Sequence, residues 1–154
     1  MIELDVQLSR DGEVVVLHDD TLERTTNGRG RVADRSWSEI ASLDAGAWFA
    51  PAFRGERVPR LDDVLAAVET RLNIELKPGP DDGLEARTLA AIERAGALHR
   101  VVLSSFDRHR LYRLRALSPG AELAVLWVGP RIVPALTLAR RVTATALHIR
   151  NGHG

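Results

Sequence analysis

An α/β fold built on a parallel sheet is predicted, and three features of the chain predict it. From residue 72 onward, short apolar runs alternate with amphipathic helical stretches. That rhythm builds parallel strands joined by right-handed crossovers. A strand of alternating polarity, Ile2-Glu3-Leu4-Asp5-Val6, stands near the start. An Asp11-Gly12 turn signal then leads into a second apolar run.

The elements follow in order. Residues 2–8 alternate apolar and polar side chains, as a half-buried strand does. Asp11-Gly12 closes a hairpin, so residues 14–17, a continuous apolar run, pair antiparallel with the first strand. Residues 21–59 differ in texture. They are rich in Thr, Gly and Arg, carry Trp37, Trp48, Phe49 and Phe53, and hold short helical pieces such as 38–43. A helix begins at Arg60-Leu61, with apolar positions at 61, 64, 65 and 68. Strands are expected at 72–76, 101–105, 123–128 and 146–149, and helices at 83–95, 108–117 and 133–142. Gly96 and Ser118-Pro119-Gly120 close the first two of these helices. Five parallel strands result (2–6, 72–76, 101–105, 123–128, 146–149). Five suffice for an open doubly wound sheet, whereas a closed barrel needs eight strands and roughly 250 residues.

Composition narrows the function. The 154 residues fit one domain. They are 45% hydrophobic, enough for a core. Basic and acidic side chains balance at 21 each, so nothing draws the chain to nucleic acid. No cysteine is present, which removes disulfides and thiolate metal sites. Residues 1–5 have no signal-peptide character and no segment has the ~20 apolar residues of a membrane span. A cytoplasmic protein is the expectation.

Glu3 and Asp5 are two apart on a strand and therefore share a face. Two anions so close repel unless a cation lies between them, and Mg²⁺ or Ca²⁺ is the natural oxygen-binding partner. Glu75, on a similar strand, offers a third carboxylate. Lys77 shares its face and could contact a phosphate oxygen. His18 ends its strand and suits proton exchange near neutral pH. Each signal alone also fits a bland role: a solvated acidic face, a structural histidine, an exposed Glu75–Lys77 ion pair. Order and spacing together favour the chemical one.

The motifs Ile2-Glu3-Leu4-Asp5-Val6, Asp11-Gly12 and Val15-Val16-Leu17-His18-Asp19, with Leu22, resemble the core of the glycerophosphodiester phosphodiesterases. So do Arg24-Thr25-Thr26, Gly28, Gly30, Leu43-Asp44, Gly46, Trp48-Phe49, Val58-Pro59 and Leu61. Asn73-Ile74-Glu75-Leu76-Lys77 is similar to the family's third barrel strand, and Ser104-Ser105-Phe106 to the end of its fourth. The resemblance is dense over residues 2–106 and thinner beyond.

It implies a partial TIM (β/α)₈ barrel holding barrel strands two to six, without the first strand and the last two. Residues 21–59 would be a small insertion after barrel strand two, within one incomplete domain spanning 1–154. It implies hydrolysis of small glycerophosphodiesters to sn-glycerol 3-phosphate and an alcohol. Glu3, Asp5 and Glu75 would bind the divalent cation, Mg²⁺ or Ca²⁺, and His18 would be the second catalytic histidine. Lys77 would lie near the phosphate, and Trp127 would either pack in the core or line the substrate pocket.

The family's His-Arg-Gly strand, its Pro-Glu-Asn-like motif and its Trp-Thr-Val-Asn-like strand are not found. His99, His109, His148 and His153 do not replace the other catalytic histidine. A chain of this extent is expected to expose sheet edges and to be unstable, associating or inactive. Two alternatives remain at this level. One is a metal-binding remnant without turnover. The other is a phosphodiesterase acting on lysophospholipids, with Trp37, Trp48 and Phe49 facing lipid, although core packing is the favoured reading of these three aromatics.

Overall fold

The computed structural model describes residues 1–150; the tail 151–154, with His153, lies outside the described residues. Six strands form one sheet: β1 (Ile2–Leu8), β2 (Val14–Val16), β3 (Leu72–Leu76), β4 (Val101–Ser105), β5 (Glu122–Val128) and β6 (Ala146–Arg150). Their spatial order is β2-β1-β3-β4-β5-β6. β2 pairs antiparallel with β1, and every other pair is parallel.

The order decides between the two candidate architectures. Each parallel strand lies beside the next one in the chain, with no reversal of direction across the sheet. A doubly wound sheet requires such a reversal; a (β/α)₈ barrel does not. The helices agree. α2 (Leu61–Ala67), α3 (Leu84–Arg94), α4 (Arg108–Leu117) and α5 (Ile132–Arg141) all send apolar side chains into one cluster with a single face of the sheet. That cluster contains Leu4 and Val6 of β1, Leu72, Ile74 and Leu76 of β3, Leu103 of β4, and Leu123 and Val125 of β5. Burying each such Leu or Ile is worth about 1.5–3 kcal/mol, so the helix side supplies the stability. The opposite face carries Glu3, Asp5, Asn73, Glu75 and Ser104, brought together by the registers Glu3↔Asn73, Asp5↔Glu75 and Glu75↔Ser104.

The expected element boundaries hold to within a residue or two. The short helix near 38–43 is α1 (Trp37–Ala41), shifted toward the start because Ser36 caps it. Its hydroxyl accepts from the Glu39 N–H while the Glu39 carboxylate accepts from the Ser36 N–H. The β1–β2 connection spans residues 9–13, with Gly12 at φ 84°, a conformation that favours glycine.

Residues 17–60 cover one end of the sheet and have their own small core of Leu17, Leu22, Val32, Ile40 and Val58, which Val15 joins from β2. Trp37 packs against it and lies under the Arg60 guanidinium, 5.5 Å from the ring centroid. Asp44 anchors the last part of this excursion by accepting from the N–H groups of Gly46, Ala47 and Gly55. Gly46 must lack a side chain there, because a Cβ would fall 1.9 Å from the Phe53 carbonyl oxygen.

The loop after β3 is held from the helix side. Arg110, on α4, is only 1% exposed. Its Nη1 donates to Asp82 (2.7 Å) and Glu85 (3.1 Å), and its Nε donates to the Lys77 carbonyl (3.2 Å). Arg113 supplies a second donor to Glu85 at 2.7 Å. Buried charges persist only with partners of this kind. Replacing Arg110 by Met is therefore expected to leave Glu85 undercompensated and to cost about 3 kcal/mol, measurable by urea unfolding. An unchanged midpoint would show that Arg113 alone suffices.

Candidate active site

The site grows out of strand alternation. Helix-facing residues of β1 and β3 are apolar, so the residues between them, Glu3, Asp5, Gln7, Glu75 and, just past β3, Lys77, turn to the other face. Parallel pairing sets Asp5 beside Glu75. Glu3, Asp5 and Glu75 each offer an oxygen within 4.8 Å of the others. The set is all carboxylate, the donor type that hard divalent cations take. The chemistry of the donors thus fits a cation of that class.

Lys77 bears on the same anions. Its Nζ donates to Asp5 Oδ1 at 3.3 Å and to Glu75 Oε1 at 3.4 Å. Burial disfavours its ammonium, but Glu75 and Asp5 outweigh burial and raise its pKa. Burial also pushes the Glu75 carboxyl up, partly offset by Lys77 and reinforced by Asp5. Glu3 is raised by burial and then by the charges of Asp5 and Glu75. One lysine does not neutralise three carboxylates, so the site retains an excess of negative charge.

His18 lines the same pocket, of about 370 Å³, together with Glu3, Asp5, Arg24 and Trp48. Its Nδ1 is 2.6 Å from Asp19 Oδ1. Asp19 is held well below the usual carboxylate range by hydrogen bonds from Arg24 and then His18. An ionised carboxylate only accepts, so Nδ1 carries the proton and Nε2 is left to exchange one. Gln7 fixes the backbone on both sides of His18, donating from Nε2 to the carbonyls of Leu17 (2.9 Å) and Asp19 (2.7 Å). Gln7 and Arg24 are the functional neighbours that sequence reasoning missed. The parity of Glu3, Asp5 and Gln7 was the available signal for the first.

Two expectations need correction. Trp127 is not brought to the carboxylates. It lies an odd number of residues from Ala124, which is in line with Ser104 and Glu75, so its ring goes to the helix side of the sheet. Core packing does not describe Trp48 and Phe49 either, which are 52% and 69% exposed. They form an edge-to-face array with Phe53, with centroids 5.8 and 5.5 Å apart. The Trp48 Nε1 donates to Ala45 O, which holds the ring at the surface. Among the remaining described histidines, His99 accompanies the turn before β4, His109 lies on α4 and His148 on β6; the pocket takes none of them.

This geometry meets known proteins. The family model of the glycerophosphoryl diester phosphodiesterases matches residues 1–153. The chain belongs to that family. A glycerophosphodiester phosphodiesterase of Caldanaerobacter subterraneus is 39% identical over 152 residues, covering 96% of the chain and 62% of that protein. A putative one of Bacillus subtilis is 41% identical over 129 residues, covering 82% and 53%. Among solved structures, a phosphodiesterase of Oleispira antarctica in complex with the product sn-glycerol-3-phosphate superposes with a TM-score of 0.81 at 31% identity, covering 96% of the chain and 62% of that protein. The chain thus spans about half to three-fifths of the length of the relatives it matches. The family's fold is a TIM-barrel-like α/β fold, in agreement with the strand order found here. No helix among the described residues is long and apolar enough to cross a membrane.

The raised carboxyls of Glu3 and Glu75 carry a linkage prediction. In the native state they keep protons above their ordinary value of 4.5. Their contribution to stability therefore falls as pH rises from 4.5 through the raised native values. Glu3→Gln should melt above the wild type without added cation, by a margin that opens as pH rises through that window. Free Mg²⁺ or Ca²⁺ at 100 times its Kd should stabilise the wild type by about 2.7 kcal/mol, and the variant much less. Differential scanning fluorimetry across pH checks both, and a margin that closes with rising pH refutes the account.

Proposed function

We propose that this site belongs to a divalent-metal-dependent phosphodiesterase that hydrolyses glycerophosphodiesters to sn-glycerol 3-phosphate and an alcohol. The observation that carries the reading is the convergence of Glu3, Asp5 and Glu75 within 4.8 Å, with His18 lining a pocket that Glu3 and Asp5 share. The family membership and the Oleispira product complex support it. Residues 1–154 are read as one domain, with residues 21–59 as its insertion.

Glu3, Asp5 and Glu75 would hold Mg²⁺ or Ca²⁺, which supplies positive charge for a phosphoryl oxygen when bound. The chain's own groups do the rest. A phosphodiester is an anion, and Lys77 offers it an ammonium once that group turns from the carboxylates it now spans. His18 exchanges a proton through Nε2 with an oxygen of the diester or its nucleophile. Asp19 fixes the ring's tautomer, Arg24 keeps Asp19 ionised, and Gln7 keeps the backbone of residues 17–19 in place.

The exposed Trp48–Phe49–Phe53 array favours a second substrate class, diesters with an apolar group such as lysophospholipids. Trp48 also lines the pocket of Glu3 and His18, so such a group could lie along it.

The test is glycerol 3-phosphate release from glycerophosphocholine with Mg²⁺ or Ca²⁺, run beside lysophosphatidylcholine. His18→Ala should lose about 10²–10⁴-fold in kcat while keeping the cation-induced rise in melting temperature. A folded, cation-binding chain without turnover on either substrate would leave the remnant reading instead. Equal turnover in His18→Ala would remove His18 from the chemistry.

A further inference from the structure

A second cavity lies on the helix side of the sheet, between α4 and α5. α3 packs on both α2 and α4, but α4 and α5 stand apart, and about 720 Å³ of space separates them. That is within the usual range for small-molecule sites and about twice the cavity at the carboxylates.

Its lining is specific in chemistry. Three of the chain's seven aromatic residues converge there from different elements: Phe106 after β4, Tyr112 on α4 and Trp127 on β5. α5 presents Val133, Thr137 and Arg141, spaced four residues apart on one helical face. That face meets empty space where a neighbouring helix would be expected. The Trp127 indole N–H is buried and has no hydrogen-bond partner among the described residues. Buried donors are normally satisfied, by protein, water or ligand.

The charges at the rim are unequal. Arg108 and Arg141 line it, and among the described residues neither is in an ion pair with a carboxylate. His109 is there too, with Arg108 Nε 3.3 Å from its Nε2. The single acid, Asp107, is committed to capping α4, where it accepts from the His109 N–H at 2.8 Å. An apolar aromatic floor under a cationic rim calls for a ligand that is apolar along its body and anionic at its head. Val133 to Arg141 span about 12 Å of helix, the scale of a medium-length acyl chain.

We propose that the α4–α5 cavity is a binding site for an anionic amphiphile, separate from the carboxylate site across the sheet. Recognition would come from the aromatic floor for the chain and, for the head, from the cationic side chains at the rim, Arg108 at the start of α4 or Arg141 at the end of α5. The proposal does not depend on the phosphodiesterase reading.

Calorimetric titration of the chain with decanoate, below its micelle concentration, tests it. One saturable site is expected, with octyl glucoside binding at least tenfold more weakly. The surface double variant Arg108→Ala/Arg141→Ala should weaken decanoate at least tenfold. Thr137→Phe, which places a ring at the middle of the α5 face, should weaken decanoate at least tenfold. Both variants should keep the wild-type circular dichroism and the cation-induced melting shift, which report the fold and the separate carboxylate site. The proposal is overturned if decanoate does not saturate, if octyl glucoside binds equally well, or if either folded variant binds decanoate like the wild type.

Discussion

The parallel pairing of β1 with β3 places Asp5 directly beside Glu75, and much of the structure follows from holding these two anions together. Left alone, they and Glu3 would repel one another and weaken the sheet that carries them. Lys77 relieves part of this by bridging Asp5 and Glu75. Burial first, and then the remaining repulsion from Asp5, raises the Glu3 and Glu75 carboxyls.

The opposite face of the same strands makes this tolerable. Leu4, Val6, Ile74 and Leu76 lie in the apolar cluster shared with four helices. Its burial energy keeps the strands in register against the repulsion across the sheet. Arg110 adds a directional restraint: it grips the Lys77 carbonyl from beneath while Asp82 and Glu85 hold its guanidinium. The lysine that balances the site is thereby tied to the helical layer.

The excursion between β2 and α2 has a comparable division of labour. Its buried side chains stabilise it, Gln7 and Asp19 orient His18, and Asp44 stiffens the segment that exposes Trp48 and Phe49. Aromatic residues held outward by hydrogen bonds, next to a polar pocket, give that rim two chemistries.

Much of this was legible in the chain itself. Apolar periodicity and apolar runs located the six strands and the α-helices, because a strand with one buried face must alternate and a helix must repeat near 3.6 residues; the short 3-10 turns at 32–34, 51–53 and 98–100 carry no such repeat. The same alternation paired Glu3 with Asp5 and Glu75 with Lys77. The ordered motifs from residue 2 to 106 named the family, and its model matches residues 1–153. Tertiary structure decided what spacing within one segment cannot encode. The β1–β3 register joined the acidic pair Glu3 and Asp5 to Glu75 and Lys77 from a distant strand, and the strand order distinguished a barrel-type sheet from a doubly wound one. The face taken by Trp127, the exposure of Trp48, the clamp formed by Gln7 and the gap between α4 and α5 depended on packing partners. Those partners come from distant parts of the chain, so only the folded chain determines what each residue touches.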